Sequence, residues 1–141
     1  IEISDYYVKE CPKKKNLFPN TIKILDYLKN KYNLHIITNG FEEVQHIKMT
    51  QSKLTKFFDQ IITSEAAGAK KPNQLVFEYA INKSGAQLEN SVMIGDDLNT
   101  DINGAIKVNM KAIYYNPHQK AHDFNIWKEV QNLNEIKKIL L

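Results

Sequence analysis

Three carboxylates, Asp96, Asp97 and Asp101, follow directly on the apolar run Ser91-Val92-Met93-Ile94-Gly95. An apolar run of this length, stopped by glycine, reads as a strand buried on both faces in a parallel sheet. Its carboxylates then stand at the C-terminal rim, where open α/β sheets bind their ligands. Carboxylates held so close resist ionising together, and a hard divalent cation relieves the repulsion. Asp96 and Asp97 are therefore candidate ligands for Mg2+. The same letters admit a plainer reading, in which Asp96 and Asp97 are turn residues and Asn99, Thr100 or Asp101 caps the next helix. A calcium loop is excluded. Asn99, Asp101, Asn103 and Gly104 follow its spacing, but its twelfth position, where a bidentate Glu is required, is Met110.

A second run, Leu34-His35-Ile36-Ile37-Thr38-Asn39-Gly40, has the same form, β-branched residues ending in small polar ones and glycine. Phe41, Val44, Ile47 and Leu54 then mark an amphipathic helix, whose free N–H groups at its start would welcome an anion over the Thr38 rim. Lys70-Lys71-Pro72 supplies cations from a third connection. His118 and His122 are spaced to share a helix face, but no third ligand lies nearby and zinc needs three or four. They read as surface residues, and His35 and His46 as packing or surface positions.

The elements that position these residues alternate. Ile22, Leu25, Leu28 and Tyr32 predict a helix from a cap at Asn20 to about Lys31, closed by Asn33. A third strand is read in Phe57–Ser64, followed by a loop over Glu65–Lys71. A helix begins near Asn73, with Val76, Phe77, Ala80 and Ile81 inward and Gly85 at its end. After the strand at 91–95 come a short helix with Ile102, Ala105, Ile106 and Val108 and a strand over Lys111–Pro117. An edge strand is read in Ile126–Gln131, and a closing helix in Glu135–Leu141. Strand-helix alternation of this kind implies an α/β fold with a parallel sheet flanked by helices.

The chain has 141 residues, 43% hydrophobic and 25% charged, the make-up of one globular domain with an ordinary core. All 19 of its basic residues are lysines, so the net charge of +3 comes without the guanidinium fork that reads bases. Nucleic acid is not an expected partner, and Lys13-Lys14-Lys15 reads as a solvated surface. The single Cys11 leaves no internal disulfide, which fits a cytoplasmic location. No apolar run approaches the roughly 20 residues of a membrane span. Residues 1–11 read as the tail of an absent element.

In this order on successive βα units, Thr38-Asn39-Gly40, Lys70-Lys71-Pro72 and Gly95-Asp96-Asp97 with Asp101 resemble the second, third and fourth motifs of the haloacid dehalogenase (HAD) superfamily. The resemblance runs from about Phe18 to Pro117. Ile-Thr-Asn-Gly-Phe and Gly-x-x-Lys-Pro-x-x-x-x-Phe look most like the noncanonical-pyrimidine 5′-nucleotidase branch. It implies a Rossmann-like core over 18–141, with 1–17 as the end of a cap and its linker, and a Mg2+-dependent phosphatase acting on a small phosphorylated metabolite, as a monomer or homodimer. It assigns phosphate binding to Thr38, Asn39, Gly40 and Lys71, metal binding to Asp96 and Asp97, and to Asp101 the orienting of Lys71 or of the metal's water shell. Lys71 would neutralise charge between nucleophile and phosphate. The superfamily's first motif, Asp-x-Asp-x-Thr/Val, has no counterpart in the 141 residues. The resemblance places that strand between those ending at Thr38 and Asp96, so the chain is expected to be a C-terminal core portion, inactive alone, with at least four strands in its sheet. A non-catalytic metal- or phosphate-binding scaffold and a haloacid dehalogenase are the alternatives.

Overall fold

The structure is a computed structural model that describes residues 17–141, so the expected cap-and-linker stretch lies outside it except for Leu17. The elements run α1 (Thr21–Lys29), β1 (His35–Thr38), α2 (Glu42–Gln51), β2 (Gln60–Thr63), α3 (Ser64–Ala67), α4 (Gln74–Ser84), β3 (Val92–Gly95), α5 (Asn103–Lys107), β4 (Lys111–Tyr115) and β5 (Lys128–Val130). Every strand pairing is parallel. The alternation expected from the sequence is present.

The expected sheet of at least four strands is not formed. The five strands divide into β1–β2 and β3–β4–β5. β1 and β3 do not pair; between them runs a cleft of about 450 Å³, lined by Ile37 and His35 from β1, Ile94 and Val92 from β3, Leu28 from α1 and Ile136. This also corrects the reading of both strands as fully buried. Every residue of β1 and of β3 is only half-buried, because among the described residues each strand has a neighbour on one edge alone. Lys71, Asp96 and Asp101 stand on the same cleft.

β4 has neighbours on both edges, and its side chains separate by the two-residue period of a strand. Ala112 and Tyr114 join one core with Ile62, Val76, Phe77 and Ile102, while Ile113 and Tyr115 join the other with Ile24, Leu28, Val130 and Ile136. α4 begins where read: Asn73 accepts from Leu75 N at 2.9 Å, and Gly85 closes the helix with φ +69°. α1 begins where expected, directly after Asn20, but without the expected side-chain cap. Asn20 is left-handed (φ 65°) and makes no capping bond; its amide donates instead to Asn132 Oδ1 at 3.1 Å, and the helix ends at Lys29 with Asn30 beyond it.

Other bounds shift for local reasons. α2 buries Val44 and Met49, leaves Phe41 and Ile47 exposed and stops short of Leu54. The stretch read as a loop after β2 opens with α3, capped by the Thr63 hydroxyl on Ala66 N at 3.2 Å and ended by Gly68 at φ +71°. The closing helix is a 3-10 turn over Leu133–Lys138, nucleated by a reciprocal cap between Asn132 and Glu135. The edge strand shrinks to Lys128–Val130. No helix among the described residues is long and apolar enough to cross a membrane.

Gly104, in α5, is where α4 and α5 meet most tightly. A Cβ there would collide with the Phe77 ring and lie 3.2 Å from Pro72 Cα. Phe77 is fully buried and cannot swing aside. We expect Gly104→Ala to destabilise the fold by roughly 1–3 kcal/mol, the usual cost of overpacking, in chemical denaturation. A change within about 0.5 kcal/mol, the ordinary surface range, would contradict this contact.

Candidate active site

The three connections leaving β1, β2 and β3 meet at the C-terminal rim, and two side-chain contacts hold them together. The Asn39 carboxamide accepts from Lys71 N at 2.7 Å and donates to Lys71 O at 3.1 Å. This fixes the Lys71 backbone against the end of β1. Lys71 Nζ then reaches Asp101 Oδ1 at 2.5 Å, with side chains 11% and 8% exposed. The Lys71–Pro72 peptide bond is cis.

Asp101 is placed by the turn that follows β3. Asp97 Oδ1 accepts from Asn99 N and Thr100 N, each at 2.9 Å, and so caps the π turn over Leu98–Ile102. Asp97 is thus the capping residue, a role the sequence reading offered to Asn99, Thr100 or Asp101. The turn carries Asp101 back over Gly95, whose missing Cβ leaves the space the Asp101 side chain occupies. Asp101 Oδ2 takes Asp97 N at 3.3 Å, so both of its oxygens are engaged. Asp96 is exposed and makes no side-chain hydrogen bond among the described residues.

Across the cleft, the Thr38 hydroxyl accepts from Gly40 N at 3.0 Å and keeps its own proton to donate. The Asn39 side chain is committed to Lys71, and the Gly40 amide to the Thr38 hydroxyl. At the start of α2, Glu65 Oε1 accepts from Glu42 N at 3.3 Å, so one of the N–H groups read as open to an anion has a partner. Lys70 does not share the cleft with Lys71. It borders a separate hollow of about 400 Å³, with Phe41, Gln45 and Glu65.

Among the described residues no three His, Cys, Asp or Glu side chains converge to hold a metal. The open donors are both oxygens of Asp96 and the second oxygen of Asp97. Two carboxylates suit Mg2+, which keeps several waters and commonly takes one or two protein carboxylates plus substrate phosphate. The donor set therefore fits a shared site rather than a complete protein cage.

Sequence reasoning missed Tyr114, buried on β4 and paired in register with Gly95. Burial pushes its phenol above the usual range, with further contributions from Glu129, Asp96 and Asp97. It also missed that His122 is no surface residue: its side chain is 14% exposed and its Nε2 lies 2.8 Å from Glu129 Oε2. His118 stays exposed, and no helix joins the two histidines. A register drawn between 92–95 and 111–114 is the signal that finds Tyr114; none in the sequence finds the His122 pairing.

The Lys71–Asp101 pair is buried enough that removing one partner strands the other. We expect Asp101→Ala to destabilise the fold by about 3–5 kcal/mol in denaturant titrations. A loss below about 1 kcal/mol, the range of an exposed pair, would show that the two charges are solvated.

The sequence matches the haloacid dehalogenase-like hydrolases over residues 2–115. A glyceraldehyde 3-phosphate phosphatase of Methanothermobacter thermautotrophicus is 42% identical over 131 residues, 87% of this chain and 58% of that protein. The pyrimidine 5′-nucleotidase YjjG of Escherichia coli is 30% identical over 126 residues, 86% of this chain and 56% of that one. The chain thus spans little more than half the length of these curated relatives. A magnesium-bound crystal structure of the HAD-hydrolase YfnB of Bacillus subtilis superposes with TM-score 0.89 at 27% identity, over 96% of this chain and 60% of that one. The match at 2–115 covers most of the chain, its strands pair in parallel, and the chain belongs to the haloacid dehalogenase-like hydrolase family.

Proposed function

We propose that the protein is a Mg2+-dependent phosphomonoesterase acting through an aspartyl phosphate whose aspartate lies outside these 141 residues. What carries the reading is the grouping on one rim of a buried ammonium, Lys71, an open carboxylate, Asp96, and a hydroxyl donor, Thr38. An anionic phosphoryl group needs a cation and donors that are already in place, since fixed dipoles cost no reorganisation during the reaction.

In this reading Thr38 donates its hydroxyl proton to a phosphoryl oxygen, and the Lys71 ammonium, aimed by Asp101, offsets charge between that group and the attacking carboxylate. Asp96 and Asp97 hold the metal. A bound magnesium supplies Lewis-acid polarisation of the phosphoryl oxygens. In this reading the cleft between β1 and β3 receives a strand from outside the 141 residues, which would bring the nucleophile beside Lys71 and satisfy two backbone edges that are unpaired among the described residues. The exposed, unpartnered Asp96 favours phosphoryl transfer over haloacid chemistry, in which hydrolysis at carbon needs no metal. The relatives' names make triose phosphates and pyrimidine nucleoside monophosphates the first substrates to test, with the protein cytoplasmic and monomeric or dimeric.

The test is hydrolysis of a phosphate-ester panel by the protein with its upstream segment and by the 141-residue chain. We expect activity only in the former, abolished by chelator, and lowered about 10²–10³-fold by Lys71→Ala, the scale of losing one transition-state charge contact. Activity that survives both chelation and Asp96→Ala would overturn the proposal.

A further inference from the structure

The segment between β4 and β5 is closed by a hydrogen-bond network that the proposed chemistry does not use. Asn116 is 2% exposed. Its Nδ2 donates to Glu129 Oε1 at 2.7 Å and to Lys120 O at 3.0 Å, and its Oδ1 accepts from Lys120 N at 2.9 Å. Glu129 Oε2 meets His122 Nε2 at 2.8 Å, and His122 Nδ1 accepts from Phe124 N at 3.2 Å.

These bonds determine where the protons are. A backbone N–H only donates, so Nδ1 of His122 must present its lone pair to Phe124. Nε2 then carries the ring proton and donates to the Glu129 carboxylate. Both amide hydrogens of Asn116, both oxygens of Glu129 and both nitrogens of His122 are in use. One more proton on the imidazole has to go on Nδ1, where it would face the Phe124 N–H head on, while the contact with Glu129 becomes an ion pair and keeps the ring in place.

We infer that Asn116, His122 and Glu129 form a single-proton latch, which holds the segment after β4 closed while His122 is neutral and releases it at Phe124 when the imidazole is protonated. The latch borders the candidate site. The Tyr114 ring packs edge-on against His122 at 5.4 Å, and Phe124 at 6.3 Å, while Tyr114 lies opposite Gly95 in the β3–β4 register. Phe124 and Ile126 pack on the core around Phe77. Release therefore acts first on the packing of Phe124 and Ile126 against that core.

The charged and titratable groups around His122 are few. Glu129 comes from β5, Tyr114 from β4, and Lys120, Asp123 and His118 from the same segment; Asp96 and Asp97 lie beyond Tyr114. Hydrogen bonds from His122 and Asn116 hold the Glu129 carboxyl below the usual carboxylate range. Tyr114 stays protonated, since its phenol is pushed upward.

The experiment follows the Phe124 amide and the His122 ring by NMR in the whole protein. At pH 7.5 the ring should show the Nε2–H tautomer. Between pH 7.5 and 5, protection of the Phe124 amide, corrected for intrinsic exchange, should fall at least about tenfold in step with His122 titration, and should not fall in His122→Phe. An Nδ1–H tautomer at neutral pH would overturn the latch. So would protection unchanged across this range, or lost equally in His122→Phe.

Discussion

The buried contact between Lys71 and Asp101 is the constraint on which the rest of the rim depends. Two opposite charges removed from water offset their desolvation only if their geometry is good and their remaining valences are filled. Here the surroundings meet that condition from three directions. Asn39 grips the Lys71 backbone from the end of β1, Asp97 N satisfies the second oxygen of Asp101, and Gly95 gives up a side chain so that Asp101 can lie over β3. Each short connection is therefore shaped by the same pair. The carboxylate beside it, Asp96, is exposed and makes no side-chain hydrogen bond among the described residues, and the proposed function gives that oxygen pair to a cation.

The second organising fact is the interrupted sheet. Parallel sheets are normally covered on both faces and continuous along their edges. β4 obeys this rule, whereas among the described residues β1 and β3 each turn an unpaired edge to one apolar cleft whose rim carries Lys71, Asp96 and Asp101. Backbone N–H and C=O groups in such a cleft call for partners. An extended segment laid there would complete the hydrogen bonding and place its own C-terminal end at the candidate site. Fold completion and catalytic competence thus become one event in the proposed function.

The parts of this architecture that were legible in the sequence are those fixed by short-range physics. Apolar runs ended by Gly40 and Gly95, the Asn73 cap and the Gly85 stop located β1, β3 and α4 closely, because strand periodicity and cap chemistry act within a few residues. The parts that were misread depend on partners far along the chain. Asn20 has a capping residue's chemistry but spends its amide on Asn132, and β1 and β3 have the composition of central strands but lack a neighbour. His122, four residues from His118, looked like a surface residue because nothing near it announces Glu129. In the site, the motif resemblance named Thr38, Lys71, Asp96 and Asp101, of which Lys71, Asp96 and Asp101 line one cleft. It did not reveal that the Asn39 side chain is structural or that Asp97 spends one oxygen as a cap.

The most direct measurement is calorimetric binding of inorganic phosphate to the whole protein, with and without Mg2+, in the native sequence and in Asp96→Asn. If Thr38, Lys71 and Asp96 form one phosphoryl and metal site, phosphate affinity rises at least about tenfold when Mg2+ is added, and the increase vanishes in Asp96→Asn. Phosphate binding that is indifferent to Mg2+, or equally enhanced by it in the variant, would separate the two sites and contradict the account.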